Sequence, residues 1–233
     1  MIVSKQRSGT NHLVSLLKSH PQIACYGEVF RDGFRVTDLI GEAFAEYTPI
    51  ETRIEDPDRF LDALEAAAEG NSITMGFKVF PKQLMPVRQI ARRPDMHLIR
   101  LVRPNLLATY SSGRIAQLTG QGAARVGQEV RRAKLDFDAE DFERFMARNK
   151  RLDDSIKDDL DAIPEDRIFN LDYSDLGSED ALGRMLEFLG VEPRPMTSNA
   201  LKRNPSHIVA RFSDSGAVLN YLNQHDLSAW ASE

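Results

Sequence analysis

The sequence predicts an α/β fold in which a central parallel sheet of about five strands is flanked by helices on both faces. Short apolar runs alternate with longer amphipathic segments along most of the chain, an order typical of parallel sheets. Residues 96–102 are almost continuously apolar, as in a strand buried on both faces. The 233 residues, 42 % hydrophobic and 28 % charged, suffice for one domain (1–233) with a full core.

Hydrophobic spacing places the first elements. Leucines recur at helical spacing in residues 11–20, and Pro21 ends that helix. Residues 72–80 alternate apolar and polar side chains, which predicts one strand. The elements predicted in this half are strands 2–4, 23–26 and 72–80 and helices 11–20, 58–69 (within a mostly helical stretch 33–70 broken at Pro49 and Pro57) and 81–93.

The second half continues the alternation. Pro104 lies where a helix tolerates proline, and Gly190 is a typical helix stop. Residues 119–134 hold three glycines and several basic side chains, so this segment is expected to be mobile. The elements predicted here are strands 96–102 and 167–173, helices 104–118, 138–162 and 178–189, and short helices within 191–233.

Composition excludes several classes of protein. The net charge of −5 gives no global basic field, so nucleic acid is not an expected partner. One cysteine rules out a disulfide framework, and the five histidines show no metal-ligand spacing. No signal peptide or transmembrane run is visible, so a cytoplasmic location is expected. The oligomeric state stays open.

Residues 5–11 join the first predicted strand to the first helix and have the chemistry of an anion-binding loop. Gly9 permits a tight turn, and backbone N–H groups and the helix dipole favour an anion at a helix start. An ATP-type loop would need a Gly-Lys pair that is absent here. A simple helix N-cap remains an alternative. The basic and polar residues of the loop are Lys5, Arg7, Ser8, Thr10 and Asn11.

A second pair of polar residues follows the strand 96–102. Arg103 ends that strand, and Ser111 lies eight residues later on the apolar stripe of the next helix, which runs from Leu107 to Leu118. An unpaired buried hydroxyl costs about 1–3 kcal/mol, so Ser111 needs a polar partner. A phosphate held jointly with Arg103 would serve, and so would a carbonyl of the same helix.

In this order the two motifs resemble the PAPS-dependent sulfotransferases (PAPS is 3′-phosphoadenosine 5′-phosphosulfate). The segment 7–10, Arg-Ser-Gly-Thr, is similar to the loop that holds the 5′-phosphosulfate in that family. Arg103 and Ser111 match the element that holds the 3′-phosphate. The segments Tyr-Ser-Asp-Leu at 173–176 and Phe-Leu-Gly-Val at 188–191 also recur in the family.

The similarity spans about residues 2–191 and is closest to the bacterial and carbohydrate-directed branch, which carries a Gly-Glu-x-Phe segment, here 27–30. It implies a P-loop-like three-layer sandwich and sulfuryl transfer from PAPS to a hydroxyl or amine of a glycan, glycolipid or other small acceptor. PAP, the desulfonated nucleotide, would be the product, and no metal would be needed. Residues 31–70 and 119–137 would be acceptor-binding insertions.

The resemblance also implies roles for single residues. The small-molecule enzymes carry Lys-x-His in the third strand, with His as base, whereas this chain ends that triplet at Phe80. In the carbohydrate-directed branch a glutamate is the usual base, so the resemblance implies Glu28 in that role. Arg7 and Lys78 would be the cations at the transferred group, Tyr173 would contact adenine, and Arg203 would reach the 3′-phosphate. Glu28 as a solvated loop acid and Lys78 as a solvent-facing lysine remain alternatives.

Two other classes of protein remain open at this stage. A P-loop nucleotide kinase-like phosphotransferase would share the strand–loop–helix, although the missing Gly-Lys pair argues against it. A catalytically idle nucleotide-binding protein of the same fold would not need Arg7, Glu28 and Arg103 together. Binding of Mg-ATP would separate the first alternative from a sulfotransferase.

Overall fold

The computed structural model describes residues 1–68 and 74–233. The strands of these residues fall into a four-stranded parallel sheet in the order β4-β1-β5-β6 and a two-stranded parallel sheet of β2 and β3. The predicted α/β class with a central parallel sheet is therefore confirmed. The strands are β1 (Ile2–Ser4), β2 (Ile23–Cys25), β3 (Thr74–Gly76), β4 (Lys78–Val79), β5 (Leu98–Val102) and β6 (Ile168–Asp172).

The helices follow the predicted order, with ends that differ by a few residues. Several begin at a side chain that accepts a backbone N–H, as Asn105, Asp138 and Ser178 do. The helices are α1 (Thr10–Lys18), α2 (Thr37–Ile40), α3 (Ile50–Glu55), α4 (Pro57–Ala66), α5 (Pro81–Ala91), α6 (Leu106–Thr119), α7 (Ala139–Leu160), α8 (Glu179–Phe188) and α9 (Ser215–Gln224).

Apolar side chains cover the central sheet on both faces. Neighbouring residues of one strand point to opposite faces, so Val3 packs in one cluster and Ile2 in the other. The first cluster is closed by α5 and α7, and the second by α1 and α8. A third cluster joins α6, α7 and α9 beside the sheet. Within the described ranges, no helix combines the length and apolarity needed to span a bilayer.

The prediction of one strand over 72–80 is wrong for its described part. The chain pairs with β2 as far as Gly76 and then crosses at Phe77 to pair with β1. Phe77 is buried and packs edge-to-face on Phe30, so the crossing is fixed by the core. Because β2 and β3 form their own sheet, the central sheet has four strands instead of about five. Residues 72 and 73, and the predicted helix end at 69–70, lie outside the described residues.

Two expectations for the segment around α6 also change. Leu118 was placed on the buried stripe but is 66 % exposed. The segment 119–134, expected to be mobile, is tied down by hydrogen bonds. Gln121 bonds to Glu129 and Arg131, and Arg125 forms a β-bridge with Ala200. The Gln121 bonds join parts of this segment to each other, and the bridge joins it to the C-terminal part of the chain.

Arg53 anchors the helical segment 31–68 to the rest of the molecule. Its side chain is fully buried, and its guanidinium donates to the backbone carbonyls of Val29, Thr48 and Pro49. A buried cation is tolerated only where such hydrogen bonds replace its hydration. Arg53 thus ties α3 to the loop that follows β2.

We predict that Arg53→Met lowers the free energy of unfolding by about 3 kcal/mol, because buried carbonyls lose their donors. The matched control is Arg59→Met, which removes an exposed arginine from α4 together with its exposed ion pair to Glu46 and its contact with the Tyr47 ring. That control should change stability by less than about 1 kcal/mol. Urea unfolding of both variants measures the difference, and equal small effects would show that Arg53 contributes no more than a surface residue.

Candidate functional site

The candidate site lies where the parallel strands of the central sheet end. Because β1, β4, β5 and β6 run in the same direction, the residues that follow them meet at one edge. Arg103 and Tyr173 follow directly after β5 and β6. A cleft of about 790 Å³, here called the main cleft, opens at this edge and is lined by both residues. Its size is typical of a site for a small organic ligand.

The loop after β1 forms the floor of the main cleft. Gly9 is the N-cap of α1 and has a φ of 89°, in the left-handed region. A Cβ atom at this position would lie 2.7 Å from the ring of Tyr173 and 2.9 Å from Leu176. Gly9 is therefore required both by its backbone angle and by the closeness of Tyr173. The turn predicted for this glycine is confirmed.

The other residues of the loop have different surroundings, and not all of them face the main cleft. Ser8 and Thr10 are buried at the start of α1, where the first N–H groups of a helix lack helical partners. Asn11 lines the main cleft. Lys5 faces the other way, and its Nζ lies 2.5 Å from a carboxylate oxygen of Asp153 on α7. The charge of Lys5 is thus neutralised outside the loop.

Four arginines converge on one end of the main cleft. Arg7, Arg103, Arg203 and Arg211 all line it, and the last three are buried. Burial, with the charges of Arg203 and Arg103, lowers the pKa of Arg7 to about 10. Burial and the charge of Arg103 also lower the pKa of Arg211 to about 10. The four guanidinium groups concentrate positive charge at this end of the cleft, which favours a polyanionic ligand.

Arg7 reaches across the cleft to α6. Its Nε and Nη2 donate to Ser112 Oγ at 3.1 and 3.0 Å, and its Nη1 donates to the carbonyl of Gly122 at 2.6 Å. Its own φ is 67°, which is uncommon for a residue other than glycine. The loop conformation and two elements outside the loop therefore fix this guanidinium together.

The predicted joint site of Arg103 and Ser111 is not formed in the structure. Ser111 is fully buried, but its hydroxyl donates to Ala108 of its own helix and accepts from Arg211 Nη1 at 2.9 Å. The alternative bond to a carbonyl of the same helix is therefore observed. Arg211 supplies the second partner, because its own burial requires acceptors along α6.

Each of the three side-chain nitrogens of Arg103 has a hydrogen-bond partner. Its Nη1 donates to the carbonyl of Arg7 at 2.8 Å, and its Nε donates to Glu233 Oε1 at 2.8 Å. Its Nη2 contacts the other carboxylate oxygen of Glu233. The guanidinium carbon lies 4.1 Å from the ring centroid of Tyr173, as in a cation–π contact. Arg103 therefore links the phosphate-type loop, Tyr173 and Glu233.

Arg203 differs from the other three arginines of the main cleft because two of its side-chain nitrogens have no hydrogen-bond acceptor. It is 6 % exposed, and its Nε and Nη1 are the buried side-chain nitrogens without a hydrogen-bond partner in residues 1–68 and 74–233. Its Nη2 makes one long contact of 3.4 Å to Thr119 Oγ1. A buried cation with unpaired donors facing a cleft is costly unless an anion binds there.

The opposite end of the main cleft holds a carboxylate, that of Glu28, and an amine, that of Lys78. Lys78 is 5 % exposed, and its Nζ lies 2.5 Å from Asn11 Oδ1 and 3.4 Å from Glu28 Oε1. Burial lowers the pKa of Lys78, and the charge of Glu28 opposes this shift. Gln83 reaches Glu28 Oε2 at 3.5 Å. Lys78 is thus a buried site residue, contrary to the alternative of a solvent-facing lysine.

A second, polar groove adjoins the main cleft. It has a volume of about 540 Å³ and shares Asn11, Lys78, Ala123, Ala124 and Ala200 with the main cleft. This groove, here called the side groove, is lined by one face of α1 and by parts of the chain near residues 123–125 and 197–200. Its other polar and charged residues are Ser15, Lys18, Ser19, Arg125, Thr197 and Asn199.

Several site residues escaped the sequence analysis. Arg211 and Glu233 lie far along the chain in segments without a motif, and only the fold brings them to the sheet edge. Ser112 was overlooked beside Ser111. Gln83 carried a weak signal, because its side chain bonds to the N–H of Phe80 as the third residue of a helix often does at its start.

Comparisons with known proteins identify the fold. The chain resembles a sulfotransferase from Alicyclobacillus acidocaldarius with a TM-score of 0.52 and 15 % identity, over 98 % of this chain and 97 % of that one. The sulfotransferase domain of the Synechococcus PCC 7002 olefin synthase gives a TM-score of 0.49 and 16 % identity over 99 % and 84 %. Retinol dehydratase in complex with androsterone and inactive cofactor PAP gives 0.40 and 15 % over 94 % and 67 %.

The other comparisons add nothing to this. No protein-family model matches the chain, and no curated protein matches it. The likeness to the Alicyclobacillus protein shows that this chain has the α/β fold of that sulfotransferase. Its activity has to be inferred from the site.

We predict that Gly9→Ala destabilises the protein by about 3 kcal/mol, because a left-handed φ and the displacement of Tyr173 both cost free energy. Gly183→Ala is the matched control, since Gly183 lies within α8 and has nothing near its Cβ position. That control should be stabilising by up to about 1 kcal/mol. Chemical unfolding of both variants tests this, and a neutral Gly9→Ala would contradict the packing of Tyr173 on this loop.

Proposed function

We propose that the chain is a PAPS-dependent sulfotransferase that transfers a sulfuryl group to a hydroxyl of a polar acceptor, with PAP as the product. The observation that carries the proposal is the buried Arg203 with unpaired Nε and Nη1, placed in a cluster of four arginines beside the loop after β1. Such a cluster fits a ligand with more than one phosphate-type group. The shared fold is consistent with this ligand class.

The donor nucleotide would lie along the sheet edge, with its 5′-phosphosulfate and its 3′-phosphate bound at separate positions. The start of α1, with Ser8, Gly9 and Thr10, would hold the 5′-phosphosulfate through backbone N–H groups. Arg103 and Arg203 would hold the 3′-phosphate. Tyr173, whose ring lines the main cleft beside Gly9, is the proposed contact for adenine. Ser111 would act indirectly, by holding Arg211 at 2.9 Å.

The acid–base pair at the other end of the cleft fits the transfer step. PAPS supplies the sulfuryl group on a phosphosulfate anhydride. In the proposed step the acceptor oxygen bonds to sulfur, its proton passes to a Glu28 carboxylate oxygen, and the bond between sulfur and the phosphate oxygen breaks. Lys78 Nζ lies 3.4 Å from Glu28 Oε1 and so fixes the position of this carboxylate at the acceptor end of the cleft.

Two cations are available for the charge that develops on the leaving phosphate. Lys78 is buried at the acceptor end, and Arg7, within the loop after β1, extends to Ser112 on α6. A cation fixed in a partly dry cleft stabilises developing charge more strongly than a cation in water does. Both are held by neutral partners, Lys78 by Asn11 and Arg7 by Ser112, so their positions do not depend on the ligand.

The side groove supports a polyhydroxylated acceptor such as a glycan. It begins at Lys78, and its lining is rich in hydroxyl and amide side chains that can exchange hydrogen bonds with sugar hydroxyls. Ala123, Ala124 and Arg125 bring the segment 119–137 to this groove, as expected for an acceptor-binding insertion. The described residues 31–68 contribute no lining residue to the main cleft or the side groove. We therefore assign the acceptor contacts to segment 119–137.

We predict that Arg203→Met has opposite effects on the free protein and on nucleotide binding. Without ligand the variant should be about 1 kcal/mol more stable, because a buried cation with unpaired donors is replaced by an apolar side chain. Its affinity for PAP should fall at least about tenfold, since a charge-assisted contact is lost. The control is Arg194→Met, which removes an exposed arginine of the same C-terminal region.

Calorimetry with PAP and thermal unfolding of the free variants measure these two effects. A purely structural Arg203 would lower both stability and affinity, and that result would contradict its role at the phosphate. Binding of Mg-ATP in place of PAP would favour a phosphotransferase over the proposed sulfotransferase.

We predict that Glu28→Gln cuts the rate of sulfuryl transfer about 10²–10⁴-fold, the usual loss for a general base. PAP affinity should stay within a few-fold, because Glu28 faces the acceptor end of the cleft. The measurement is single-turnover transfer of labelled sulfate from PAPS to a panel of glycans, glycolipids and phenols, with PAP calorimetry on the same protein.

The matched control is Asp32→Asn, which changes an exposed acid four residues away in the same loop. A normal rate in Glu28→Gln combined with a loss in Asp32→Asn would move the base to Asp32. Wild-type protein that binds PAP but transfers sulfate to no acceptor would instead support a catalytically idle nucleotide-binding protein.

A further inference from the structure

Glu233 covers the side of Arg103 that a phosphate would need. Its two carboxylate oxygens accept from Nε and Nη2, the parallel pair of donors that also binds phosphate in a bidentate way. The third nitrogen of Arg103 donates to the carbonyl of Arg7. Glu233 therefore lies where the proposed function places the 3′-phosphate.

Backbone contacts hold the segment that carries Glu233 in place. The N–H of Glu233 donates to Ser206 at 2.9 Å, and Ser232 forms a β-bridge with His207. The Asn105 amide donates to the carbonyl of Trp230 at 3.1 Å. Because these bonds use the main chain, the Glu233 side chain can leave Arg103 by rotating while its segment stays attached.

The charge around Glu233 favours its replacement by a more highly charged group. One carboxylate stands against four arginines, of which Arg203 has unpaired donors. A phosphate monoester carries up to two negative charges and more acceptor oxygens than a carboxylate. A free phosphate ion has to compete with a carboxylate tethered at high effective concentration, whereas the 3′-phosphate of a bound nucleotide is tethered as well.

We infer that Glu233 competes with phosphate groups for Arg103 in the nucleotide site. Its carboxylate excludes small anions from Arg103 and gives way to a phosphate that the rest of the nucleotide delivers. This inference rests on the proposed function for the identity of the nucleotide. Nucleotides with a 5′-phosphate alone leave the contact between Glu233 and Arg103 intact, so their binding does not depend on Glu233.

The test compares the wild type with Glu233→Gln and with Asp226→Asn, which removes an exposed acid from the same segment without touching Arg103. The ligands are PAP, adenosine 5′-monophosphate and inorganic phosphate, measured by calorimetry. In Glu233→Gln the affinity for PAP should rise about tenfold, because the ligand no longer displaces a competing carboxylate. Inorganic phosphate should gain by a similar factor, and the 5′-monophosphate should change less than about twofold.

Glu233→Asp provides the same comparison if the Gln variant does not fold. It keeps the charge but is one methylene shorter, so it should not reach the Arg103 fork and should behave as described for Gln. Asp226→Asn should behave as the wild type. Unchanged or weaker binding of both PAP and phosphate after removal of the Glu233 contact would overturn the inference. Tighter phosphate binding without any nucleotide binding would support the role of Glu233 and refute the proposed function.

Discussion

The site depends on the gathering of four arginine guanidinium groups at the carboxyl edge of one parallel sheet. Like charges repel, so each group has to be held in place by hydrogen bonds, an aromatic ring or a counterion. Arg211 is held by α6, Arg7 by α6 and a glycine carbonyl, and Arg103 by Glu233 and an aromatic ring. Arg203 is the remaining group, and its unmatched donors leave the cluster incomplete without an anion.

The loop after β1 converts this charge into a defined binding surface. Gly9 lets Tyr173 lie directly on the loop, and Arg103 packs on the same ring. The ring therefore connects the end of β6 to the start of α1 and to the end of β5. Because one ring contacts all three elements, their relative positions are fixed before a ligand binds. Such preorganisation reduces the ordering cost of binding.

Much of the fold was readable from the sequence, because alternation of strands and helices and the positions of Gly and Pro are local signals. The loop at 5–11 and Arg103 could be found for the same reason, since each directly follows a strand. The split of residues 72–80 at Phe77 could not, because alternation continues across the crossing and only the pairing partners change. The partner of Ser111 was also hidden, since Arg211 lies a hundred residues away and depends on tertiary packing.

Arg53 has a consequence for how this protein can change over evolution. Its guanidinium holds the carbonyl of Val29, the residue that follows Glu28 in the chain. The helical segment 31–68 is thus fastened to the backbone beside Glu28, the proposed proton acceptor, although the segment itself lines neither cleft. Exchange of this segment for that of a relative would carry the anchoring arginine away with it. The two segments therefore differ: 119–137 lines the side groove, whereas 31–68 is fastened next to the proposed base, so a replacement of 31–68 has to keep an equivalent of Arg53.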